Sequence, residues 1–256
     1  MNLRPIRTVL DRAASEGRAL IFWWRDDDAV AATPELDRLF AIARRVEAPL
    51  AIAAIPAGIE PSLPARVRDE PGSGLLVHGL SHRNHAEPGR KQAEFGDDRP
   101  LTALERDARE GLARARAVGA DALLPVFVPP WNRFSPALAP ALARLGYAGL
   151  STFGPPAAAQ GLPVVNTHLD PVDWRGSRSA LAPEQLAAAL ERALASPEAG
   201  PVGLLTHHLT FDEALWRLTS DLAELLAGHP AVRFAPPAEL WTTNGVIELR
   251  SSDDLT

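Results

Sequence analysis

The 256-residue sequence contains no cysteine. Disulfides, thiolate metal sites and a cysteine nucleophile are thereby excluded, while the redox compartment stays open. It has no basic run: 26 Lys and Arg stand against 32 Asp and Glu, a net charge of −6, and a chain without a cationic track does not follow a phosphate backbone. Nucleic acid is not an expected partner. No stretch approaches the roughly 18 apolar residues of a membrane span. The opening MNLRPIRTVLDRAASEGRAL is amphipathic and lacks the apolar run, about 7 to 15 residues long, of a signal peptide. A soluble, cytoplasmic protein with no membrane partner is expected. No repeat, low-complexity tract or linker divides the chain, so residues 1–256 read as one domain, and 46% hydrophobic content is ample for one core.

What is present is an alternation. Apolar runs near 19–25, 49–55, 74–78, 123–128, 147–152, 162–168, 202–206 and 231–235 read as strands. Helical patterns fill the opening segment and 33–48, 101–118, 135–145, 183–195 and 211–228, with Thr33 as a cap and Pro34 at the first helical position of the second. Short apolar strands between amphipathic helices predict an α/β fold with a parallel sheet. About seven or eight such units fit a TIM-like barrel better than an open sheet. The Pro- and Gly-rich pieces 56–74 and 153–163 read as loops.

In such barrels chemistry gathers at the C-terminal strand ends. Asp26 to Asp28, His78 and His82, Pro129 to Asn132, Asp170 and Asp173, and His207 all fall at or just after a predicted strand end. The first group is the most demanding. In IFWWRDDDAV four apolar residues and Arg25 run into three adjacent carboxylates, and even one unpaired buried charge costs several kcal/mol. A divalent cation would make them tolerable. In LLVHGLSHRNH, His78 and His82 would share one face if the chain turned helical there, with His85 as a competing partner. Two neutral histidines and one carboxylate leave positions open for water and substrate, as catalytic sites require; they suit zinc first, and also cobalt, nickel or iron. A neighbouring acid is then free to accept a proton. The plainer alternative is that Arg25 and solvent neutralise the acids at an exposed turn. Strand alternation puts Asp26 and Asp28 on one side and Asp27 on the other, so adjacent acids cooperate only if the chain leaves the strand there. In LLTHHLTF it sends His207 and His208 to opposite faces.

RDDDA, HGLSH, FVPPWN, DPVDW and LLTH, in that order from Arg25 to His207, resemble the five motifs of the polysaccharide deacetylases of the NodB homology type, carbohydrate esterase family 4. The resemblance implies a deformed (β/α) barrel of seven or eight units and a metal-dependent hydrolase of N-acetyl or related amides. It makes Asp27 the general base, with Asp26 and Asp27 as a second choice of acid pair because Ala29 stands where the family has glycine. It makes Asp28, His78 and His82 the metal ligands, His207 the general acid, Asp170 the group that orients it, and Trp174 an apolar wall. Trp131 and Asn132 are substrate-contact candidates, and the Trp131 backbone N–H is the oxyanion donor by analogy. Val128 replaces the family's base-pairing arginine. Arg25, also a candidate for substrate contact, or Arg133 is expected to compensate. A carbohydrate or small-molecule substrate follows. The alternatives are a non-catalytic metal- or carbohydrate-binding barrel and a two-carboxylate glycosidase, in which the histidines would have no task.

Overall fold

The computed structural model describes residues 1–155, 161–195 and 200–241. Within them the chain runs α1 (Arg4–Ser15), β1 (Leu20–Ala29), α2 (Pro34–Arg45), β2 (Leu50–Ala54), α3 (Ser62–Arg68), β3 (Gly74–His78), α4 (Leu101–Gly119), β4 (Leu123–Val128), α5 (Ala139–Leu145), β5 (Gly149–Leu150), β6 (Thr167–Leu169), α6 (Pro183–Leu194), β7 (Val202–Thr206), α7 (Glu213–Ala227) and β8 (Val232–Phe234). The strands lie parallel in the order β5-β4-β3-β2-β1-β7-β6, with β8 paired to the first residues of β1. Isolated parallel bridges, Leu150 to Val164 and Phe153 to Thr167, link β5 to the segment entering β6. The fold is the deformed α/β barrel that the alternation and the motifs imply.

Local chemistry explains the elements. The Thr33 hydroxyl accepts from Leu36 N at 3.1 Å and Asp212 from Leu215 N at 2.8 Å, capping α2 and α7. In α1, Ile6, Val9, Leu10 and Ala13 recur at helical spacing and are buried. The first strand shows how the layers divide. Phe22 and Trp24 pack outward among Ile6, Leu10, Leu36, Phe40 and Leu222 of the helices. Trp23 turns inward among Ala51, Ala53, Leu76, Val126 and Val128, the interior of the barrel. Burying side chains of this size contributes about 1.5–3 kcal/mol each. Arg25 and Asp27 share the inward parity of Trp23, and Asp26 the outward parity of Trp24.

Several predicted boundaries are corrected. The segment 56–74 is not all loop: α3 forms there because Pro64 falls in its first turn, where a missing N–H costs nothing, and Leu63 and Val67 bury one face. The strand expected near 19–25 runs on to Ala29, through all three acids. Those expected at 147–152 and 162–168 shrink to two and three residues. Residues 156–160 of the second loop lie outside the described residues.

Candidate metal and active site

β1 departs from regular pairing at its third acid. Asp27 pairs with Ala53 but Ala29 with Ala54, so Asp28 is the extra residue of a bulge, with a left-handed φ of 78°. A bulge re-aims one side chain, and aspartate tolerates this backbone better than most residues. Asp28 thereby leaves Asp26's face for the rim, beside His78 and His82.

His78 ends β3 on the inward parity of Leu76. Its Nδ1 donates to the Val128 carbonyl at 3.1 Å, leaving Nε2 as an electron-pair donor. The chain does not then turn helical, as the histidine spacing suggested. Gly79 and His82 both adopt left-handed φ values, 58° and 55°, and the tight turn brings the two rings to 5.2 Å. Asp28 Oδ1 lies 3.1 Å from His78 Nε2 and 3.3 Å from His82 Nε2. That oxygen is buried without a hydrogen-bond partner, so these are close approaches and not satisfied bonds. Ligand atoms of all three residues lie within 4.8 Å of one another. Three electron-pair donors converging on one point fit a divalent cation, and the set leaves positions open. Burial pushes the Asp28 carboxyl up, but the combined pull of His78, His207 and His82 outweighs it and holds the group well below the usual carboxylate range. His85 does not join this cluster.

Arg25 is fully buried. Its Nε donates to Asp27 Oδ1 at 2.8 Å and Nη2 to Asp27 Oδ2 at 2.9 Å; Nη2 also reaches Asn132 Oδ1 at 2.7 Å, and Nη1 reaches Ser151 Oγ at 2.7 Å and the Thr152 carbonyl at 3.4 Å. All five guanidinium donors are engaged. The expectation that Arg25 contacts substrate is therefore corrected: it is a sealed counter-ion to Asp27. Arg133 instead donates to the Gln92 carbonyl at the surface. Asn132 likewise commits its amide oxygen to Arg25. Trp131 and Asn132 both have left-handed φ, 56° and 55°, and the Trp131 ring lies 4.2 Å from that of His82. Of six non-glycine residues with positive φ among the described residues, Asp28, His82, Trp131 and Asn132 belong to this rim, so the strained backbone concentrates at the site.

Asp26 lies elsewhere. It accepts from Thr206 Oγ1 at 2.7 Å and His208 N at 3.1 Å and forms an ion pair with the His208 ring, all fully buried. Asp26 and Asp27 are therefore not at an exposed turn, and each has its own partner. His207 takes the opposite side: its Nδ1, buried and unbonded, stands 4.0 Å from Asp170 Oδ2. Burial raises the Asp170 carboxyl, against the opposing pull of His207 and the hydrogen bonds from Trp174 and Val172. Trp174, 40% exposed, donates its indole N–H to Asp170 at 2.7 Å and sets its ring edge-on to His207 at 4.9 Å. Asp173 turns away and caps its own loop through Gly176 N and Ser177 N.

Reading the motifs missed Glu94. Its buried carboxylate accepts from the backbone of the turn that carries His82, and no motif or spacing marks it.

No family model matches the sequence, and neither does any curated protein. Solved structures do match by fold. A putative polysaccharide deacetylase from Mycobacterium smegmatis superposes with a TM-score of 0.61 at 14% identity, covering 87% of this chain and 89% of that one. A family 4 acetyl xylan esterase from Clostridium thermocellum, in complex with a cobalt ion, gives 0.56 at 16% identity, covering 88% and 92%. A mutant family 4 pseudoenzyme with restored enzymatic activity gives 0.58 at 11% identity, covering 88% and 68%. The chain has the fold of these carbohydrate esterases and deacetylases.

Proposed function

We propose that the protein is a metal-dependent hydrolase of non-peptide C–N bonds, a deacetylase of an N-acetylated sugar or small molecule. The observation that carries this is the convergence of Asp28 Oδ1, His78 Nε2 and His82 Nε2 on one point at a rim that also presents Asp27 and His207. Asp28, His78 and His82 would hold a divalent ion, zinc or another metal such as the cobalt of the clostridial relative. When bound, it supplies Lewis acidity that polarises a carbonyl and eases deprotonation of water. Asp27, its orientation set by the Arg25 fork, takes the proton of the attacking water as the new C–O bond forms. The Trp131 backbone N–H is the analogous donor to the developing oxyanion. His207 gives its proton to the nitrogen as the C–N bond breaks, releasing acetate and a free amine. Asp170 orients His207 once the 4.0 Å gap closes, since catalytic hydrogen bonds are often long before substrate binds. Trp174 and Trp131 form apolar walls on which a sugar face can stack.

The test is acetate release from a panel of N-acetylated sugars by zinc- or cobalt-loaded protein. Activity is expected in the wild type and lost in His78→Ala whatever metal is added; a fully active His78→Ala protein overturns the proposal. The unbonded His207 Nδ1 favours a second possibility, a binding barrel that keeps its metal without turnover. Full metal occupancy with no hydrolysis across amides and esters would select it.

A further inference from the structure

The deacetylase motifs account for the three ligands but not for the backbone that presents His82. That backbone is held by a carboxylate from outside every motif. Glu94 Oε1 accepts from Ser81 N and Ser81 Oγ, both at 2.8 Å; Oε2 accepts from Leu80 N at 3.1 Å and His82 N at 3.3 Å. Three consecutive N–H groups thus point at one side chain, and no cation reaches it among the described residues. A buried carboxylate without a counter-ion is costly, and this one is 1% exposed. The turn is also wedged from behind. A Cβ at Gly79 would collide with Glu94 Oε2 and Pro130 Cδ, and one at Gly111 of α4 with the Gly79 carbonyl. Glu94 itself sits on a rigid frame: Ala93 N donates to Asn84 Oδ1 at 3.0 Å, Arg99 Nη1 to the Glu94 carbonyl at 3.1 Å, and neighbouring Phe95 packs edge-on against Phe127 with ring centres 5.0 Å apart.

We propose that Glu94 is a positioning residue for the metal site: by clamping the 80–82 backbone it holds His82 in its left-handed conformation and sets Nε2 against Asp28 before any ion arrives. This rests on the metal reading above. A ligand held in place in advance loses little freedom on coordination, and groups that orient metal ligands typically account for about 10–100-fold in metal affinity.

The experiment measures zinc affinity of metal-stripped protein by competition with a chromophoric chelator, and the visible absorption of the cobalt(II) form, in wild type and Glu94→Gln. The amide keeps the size but sets an NH2 group where the turn requires a second oxygen. Expected are a folded protein by circular dichroism, zinc affinity about 10–100-fold weaker and an altered cobalt spectrum. Wild-type affinity and spectrum in folded Glu94→Gln, even with a lowered melting temperature, overturn the assignment, because a merely structural residue would change only stability. If Glu94→Gln does not fold, Glu94→Asp, which keeps the charge but draws both oxygens back, takes its place under the same criteria. Failure of the wild type itself to bind zinc or cobalt would instead remove the metal reading, a result separable from these.

Discussion

Two acid–imidazole contacts lie two residues apart on the same strand and have opposite characters. Asp26 and His208 are fully buried, and the acid is saturated by Thr206 Oγ1, His208 N and the His208 ring. Asp28, with 29% of its side chain exposed, faces His78 and His82 through an oxygen that no donor satisfies. The groups are chemically the same; the hydrogen-bond inventory differs. An acid whose two oxygens both have donors makes a structural ion pair, even with His208 Nε2 left buried without a partner, and an acid oxygen without one that faces two imidazole nitrogens makes a place for a cation. The bulge at Asp28 separates them, because regular alternation would have sent both acids outward together.

The largest effect is expected at the open contact. His78→Ala is expected to abolish high-affinity zinc binding and with it several kcal/mol of carbonyl polarisation, about a 10³-fold loss of turnover, with the fold retained by circular dichroism. His208→Ala should do the reverse. Leaving Asp26 as an uncompensated buried charge is expected to cost about 3–5 kcal/mol of stability, measured by urea denaturation, while zinc stoichiometry stays at the wild-type value. Loss of metal from His208→Ala without loss of stability would erase the distinction between the two contacts.

A smaller effect is expected at Arg25. Arg25→Lys keeps the charge but replaces a five-donor fork by a three-donor point, freeing Asp27 to rotate. We expect kcat to fall about 10²-fold with KM little changed, read from steady-state acetate release. The smallest effect concerns pH. Burial alone would lower the His208 imidazole, but Asp26 beside it raises it above its ordinary value. A raised folded-state value means the pair's stabilisation is complete below about pH 6.5 and is lost as pH rises through that raised value. The melting-temperature gap between wild type and His208→Asn, measured without metal, should therefore narrow from neutral pH upward. A gap that widens with pH would mean that the pair is not ionic.

Much of the site was legible because strand parity is a property of residue order. The separation of Asp27 from Asp26, and the opposite faces of His207 and His208, follow from counting. The buried face of α3 was hidden by its prolines, although Leu63 and Val67 carried the signal. The route taken by the 78–82 turn was not readable, since histidines four apart are equally compatible with a helix. Glu94 lay beyond reach as well, because the donors it satisfies are backbone N–H groups, which leave no mark in residue identity.

Residue order alone determined the alternating α/β barrel and the rim to which its polar strand ends point, because the periodicities of strands and helices and the cost of burying charge act locally. Only the tertiary structure decided which acid meets which base. Asp26 was committed to His208, Asp27 to Arg25, and Asp28 to the two histidines by one bulge and one clamped turn. The first and third assignments, and the Ser151 and Asn132 contacts that fix Arg25 beside Asp27, depend on distances between segments far apart in the chain, and such distances exist only once the sheet has curled.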